Sequence, residues 1–146
     1  MRAEPHPAVQ KVSLDDAEHN LRHGGDIRML LSPKIASVMQ ALMGVVILQP
    51  GEFVCDHYHP FSEESLYVVD GVTELDVEGK VLTLGAREGV LIPRNLRHRL
   101  VNKGTETAQV VFHISPLAPR PDLGSVHLEA PPRPDEPELD VGSHDG

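Results

Sequence analysis

Between Asp26 and Ile114 the chain is cut into short apolar runs by turn-forming residues, and this punctuation constrains the fold most. The runs are rich in Val, Ile and Leu: Ile27–Leu31, Ile35–Met39, Leu42–Leu48, Phe53–His59, Ser65–Val69, Thr73–Val77, Val81–Leu84, Val90–Ile92, His98–Asn102 and Ala108–Ile114. Between them lie Pro50-Gly51, Asp70-Gly71, Glu78-Gly79, Pro93-Arg94-Asn95 and Lys103-Gly104. None of the runs is followed by a helical pattern, so βαβ units are excluded. Closely spaced short strands without crossover helices predict an all-β antiparallel barrel or sandwich.

The flanks differ from this body. Residues 1–24 are polar, with a short helix expected over Ser13–Leu21, Ser13 as its N-cap and Gly24-Gly25 as its stop. Residues 25–126 form the expected barrel with a C-terminal extension, and 127–146 an acidic, Pro-rich tail. From about Pro131 that tail has too few apolar groups to offset the entropy of ordering it, so disorder is expected there. Much of the net charge of −9 lies after Pro121, which leaves the body only mildly acidic. No basic patch with interleaved aromatics is present, which argues against nucleic acid as a partner. No apolar run is long enough for a membrane span, and the N-terminus shows no apolar leader core. A lone Cys55 fits a reducing, cytoplasmic setting.

The chemistry concentrates in Gly51–Gly71. His57 and His59 are two apart, so a strand puts both imidazoles on one face. Neutral imidazole is a common metal ligand, and Glu64 can add an oxygen. A second cluster runs from Pro93 through Asn95 and His98 to Asn102. Asn95 can adopt the left-handed conformation that a tight turn there needs. Together these residues resemble the two motifs of the cupin superfamily. Gly51, His57, His59, Glu64 and Gly71 match the first throughout. Pro93, His98 and Asn102 match the second, whereas Asn95 and Arg87 stand where that motif has glycines.

The resemblance implies a single-domain cupin barrel, a double-stranded β-helix of jelly-roll type. It implies one divalent metal ion held by His57, His59, Glu64 and His98. The last run adds His113, which shares a face with Gln109 and Val111. If that face lines the barrel, His113 supplies a fourth imidazole. The metal set is then expected to be His57, His59, His98 and His113, with Glu64 left as the catalytic base. The other histidines, His6, His19, His23, His127 and His144, read as solvated. Phe53, Leu66, Val68, Leu100 and Val111 are the expected apolar walls.

The strings GGDIRMLLSP, HYHPFSEESLYVVDG, LIPRNLRHRLVN and VFHISPLAPRPDLG resemble the small single-domain cupins of actinomycete aromatic polyketide pathways. That resemblance implies a metal-dependent cyclase closing rings in a poly-β-ketone by aldol condensation. The substrate would be free or carried on an acyl carrier protein, and the protein a homodimer. Zinc is the expected metal, with Fe, Mn, Co or Ni able to fill the same ligands. Two other expectations stand beside it: an Fe- or Mn-dependent dioxygenase, and a non-catalytic metal-bearing module of a synthase complex.

Overall fold

The computed structural model describes residues 6–36, 38 and 40–141. Two antiparallel sheets face each other. One has six strands in the order β1 (His19–Asn20), β2 (Asp26–Leu31), β3 (Leu42–Leu48), β10 (Ala108–Ser115), β5 (Glu63–Asp70) and β8 (Gly89–Ile92). The other has five in the order β11 (Val126–His127), β4 (Phe53–Tyr58), β9 (His98–Val101), β6 (Val72–Val77) and β7 (Lys80–Gly85). From β3 onward the chain passes back and forth between the sheets, except that β6 and β7 are sequential neighbours, so much of the barrel is built from long-range pairings. Among the described residues, no helix is long and apolar enough to cross a membrane.

Period-two burial explains why these segments are strands. In β5, Glu64, Leu66 and Val68 point inward while Glu63, Ser65, Tyr67 and Val69 point out. In β10, Ala108, Val110 and Phe112 point inward. These side chains meet Leu48, Leu75, Ile92 and Leu100 in one core. Gly44 makes room for Phe112, since a Cβ there would lie 2.5 Å from its Cζ.

The turns between strands use the conformations their residues allow. Asn95 has φ +70, as its turn requires, and Arg87 reaches φ +69 without being glycine. Gly71, at φ +91, passes so close to Ala108 that a Cβ would fall 2.7 Å from its Cα. Asn102 is fully buried and knits the turn after β9. Its Nδ2 donates to Leu48 O and Glu106 O, and its Oδ1 accepts from Gly104 N.

Three expectations are corrected. The N-terminal helix is only a 3-10 turn, Leu14–Asp16, capped by Ser13. Ala17 turns extended, and His19–Asn20 pairs with β2 instead. In the run Ile35–Met39, Ile35 lies in a turn and Ala36 in a bend, while Ser37 and Met39 lie outside the described residues. Third, residues 131–141 of the tail lie against the barrel, while 142–146 lie outside the described residues. The ties are long-range ones that local composition does not reveal. Arg22 Nη1 donates to Pro134 O and Glu136 O, Asn20 Nδ2 donates to Pro137 O, and Leu139 and Val141 pack on the core.

Candidate metal centre

Four side chains converge inside the barrel. β4 carries His57, and His59 follows just beyond its end; β5 supplies Glu64 and β9 supplies His98. One ligand atom from each lies within 4.8 Å of every other. The register explains the meeting, because His57 and His98 are directly opposed across β4 and β9. Their ring centroids are 4.3 Å apart. Glu64 enters from the facing sheet, with its Oε1 2.9 Å from His98 Nε2 and 3.6 Å from His59 Nε2.

Each imidazole is oriented by a backbone carbonyl. His57 Nδ1 donates to Cys55 O at 2.6 Å, His59 Nδ1 to Gly124 O at 2.9 Å, and His98 Nδ1 to Leu96 O at 3.0 Å. Ser125 Oγ also lies 3.0 Å from His59 Nδ1. A carbonyl oxygen can only accept, so each Nδ1 carries a proton and a neutral ring presents its Nε2 lone pair inward. Three lone pairs and a carboxylate thus share one small buried space. His59 Nε2 is buried with no hydrogen-bond partner among the described residues. Such a set is unfavourable without a cation at its centre. The donors present therefore fit a divalent metal ion.

His57 follows this pattern, whereas His59 and Glu64 lean toward a charged pair. Burial, helped by the neighbouring His98, pushes His57 down to about 3, so it is neutral at ordinary pH. Burial alone would lower His59 and raise Glu64. Their mutual attraction, with His98 also bonded to Glu64, overrides this, leaving His59 raised and Glu64 well below the usual carboxylate range.

His113 is not part of the group. It is exposed on the outer face of β10, opposite Met43 and Ser65. The inward face is Ala108, Val110 and Phe112, one residue out of step with the expected parity. Both faces of that run carry apolar residues, so alternation alone did not decide between them. With His113 outside, the reason for leaving Glu64 as a free base disappears. Glu63, the neighbour of opposite parity, is exposed.

The group opens into a cavity of about 600 Å³. Leu66 and Leu100 line it as expected, joined by Met29, Leu42, Phe112 and Ile114. The other expected walls lie elsewhere. Phe53 packs under the Arg99 guanidinium at 4.1 Å, Val111 is on the outer face, and Val68 is buried in the core away from the cavity. Arg97 turns away as well, to Asp56 and Asp76. The C-terminal segments also line the cavity, through Leu117, Arg120 and Ser125 and through Glu138 to Val141.

Sequence reasoning missed two lining residues, His23 and His127. His23 is buried, and its ring stacks on His127 with centroids 3.8 Å apart and planes 3° from parallel. His127 is exposed, as expected, but lies on β11 opposite His57 and lines the cavity. Val126 and Leu128 around it are the only local hint of a strand.

Residues 44–114 match the cupin domain family. Over 120 residues the chain is 48% identical to the polyketide synthase protein CurC of Streptomyces cyaneus, covering 82% of this chain and 78% of that one. The chain belongs to the cupin family. This cupin is also 41% identical, over 127 residues, to the tetracenomycin polyketide synthase protein TcmJ of Streptomyces glaucescens, covering 87% and 85% of the two chains. Its fold is shared with the polyketide cyclase RemF of Streptomyces resistomycificus, at a TM-score of 0.68 and 18% identity, over 86% of this cupin and 89% of RemF.

Proposed function

We propose that this cupin is a metal-dependent polyketide cyclase that closes a ring in a poly-β-ketone chain by aldol condensation and loss of water. The observation that carries this reading is the placement of a buried His57, His59, Glu64 and His98 set in a largely apolar cavity of about 600 Å³. The polyketide synthase relatives CurC and TcmJ support the substrate class. Bound there, a divalent ion, zinc in this reading because aldol chemistry needs no redox change, supplies Lewis-acid stabilisation of negative charge on a ketone oxygen.

The chain's own residues do the rest. The backbone carbonyls of Cys55, Gly124 and Leu96 hold the three imidazoles with Nε2 facing inward. Glu64 belongs with the ligands in this reading. As the carboxylate of the set, Glu64 is in this reading also the acceptor for the methylene proton. Leu66, Leu100, Phe112 and Ile114 exclude water and fold the flexible chain, which is an orientation effect on which carbonyl is attacked.

The test adds purified protein to a minimal aromatic polyketide synthase, with and without a chelator. A shift in ring pattern that the chelator abolishes is expected. A shift that survives full metal removal contradicts the reading. Oxygen uptake by the iron-loaded protein on the same intermediates would favour the dioxygenase instead.

A further inference from the structure

We propose that His127 is a substrate-binding residue, donating or accepting a hydrogen bond at a second oxygen of the substrate away from the metal group. This rests on the cyclase reading above. His127 lines the cavity beside the ligand set, its ring centroid 5.7 Å from that of His57. Among the described residues neither of its ring nitrogens makes a hydrogen bond, although the surrounding wall is largely apolar. His127 is exposed to solvent, so a ligand that covers it must replace the hydrogen bonds of the displaced water or leave the imidazole unpaired, which selects for an oxygen at that place.

The ring is also held in place. It stacks flat on His23, whose Nε2 lies 3.3 Å from Glu138 Oε2, and Arg22 Nε lies 3.0 Å from the other oxygen of the same carboxylate. His23 Nδ1 is buried without a hydrogen-bond partner among the described residues. A neutral imidazole has one donor and one acceptor nitrogen, and so can meet either a ketone or an enol. A poly-β-ketone carries oxygens at alternate carbons. A second contact at a fixed place would decide which carbonyl reaches the metal group, and hence which ring forms.

The test uses full-length, metal-loaded protein with His127→Phe and His127→Gln. Phe keeps the stack on His23 but has no polar edge, and Gln restores one. The probe is emodin, a hydroxyanthraquinone with oxygens along both edges, titrated by calorimetry. Loss of one hydrogen bond predicts about fivefold weaker binding for the Phe variant, with Gln within about twofold of wild type. Metal content should be unchanged in both.

Equal affinity of the Phe variant and wild type, equal weakening of both variants, or loss of metal from the Phe variant would each overturn the inference. The same three proteins are then added to the synthase assay. If affinities separate as expected while wild type leaves the products unchanged, the cyclase reading fails and the binding role stands. If wild type redirects the products and the Phe variant does so identically, only the role of His127 fails.

Discussion

Deleting residues 131–146 removes the C-terminal strap that lines the cavity through Glu138 to Val141, and the structure sets the size of the effect. The strap is tied by Arg22 to Pro134 O and Glu136 O, by Asn20 to Pro137 O, and by Lys34 N donating to Val141 O. Arg133 reaches Leu21 O, Gly25 O and Glu52, while Glu138 meets Arg22 and His23. These are partly exposed bonds, worth about 0.5–1 kcal/mol each. Leu139 and Val141 are only partly buried and add at most ~1.5–3 kcal/mol apiece. Together they contribute roughly 8–15 kcal/mol. Ordering the backbone of residues 131–141 costs roughly 11–22 kcal/mol. The ordering cost takes up that gain, so the strap adds little net stability to the barrel. Truncation is therefore expected to lower Tm by less than ~8 °C in calorimetry, with metal retained. Hydrogen exchange should show the Lys34 amide far less protected than that of Val110 in the intact chain. Failure of the truncated protein to fold, or strap protection equal to that of the core, would refute this reasoning.

Other outcomes follow from single residues. Asn102→Ala leaves Leu48 O, Glu106 O and Gly104 N without its bonds in a buried turn, and should cost about 3 kcal/mol in urea unfolding without changing metal content per folded chain. The Cys55 thiol is fully buried, and burial and Glu129 raise its pKa. Iodoacetamide should leave it unmodified at pH 8 until the protein unfolds. In metal-free protein, His57 falls from 6.5 when unfolded to about 3 when folded. The unfolded chain takes that proton first, so stability should drop as pH falls from 6.5 to about 3, and His57→Asn should flatten the slope.

The sheet order was not readable from the sequence, but most strand positions were, because turn residues and apolar runs are local signals. The three imidazoles were legible for the same reason: His57 and His59 share a strand face, and His98 follows a recognisable turn. Glu64 was found by spacing, but its role depended on His113, where alternation on a strand apolar on both sides gave no answer. Three-dimensional pairing settled it, with Phe112 inward and His113 outward. The strap and the His23–His127 pair were illegible because their partners are about a hundred residues away. A Pro-rich acidic segment looks the same whether or not Arg22 and Asn20 wait for its carbonyls.

The central claim is that His57, His59, Glu64 and His98 hold one metal ion and His113 does not. Elemental analysis of purified wild type, His98→Ala and His113→Ala tests it directly. The account predicts about one divalent ion per chain in wild type and in His113→Ala, and little in His98→Ala. Metal retained by His98→Ala, or lost from a folded His113→Ala, would contradict it.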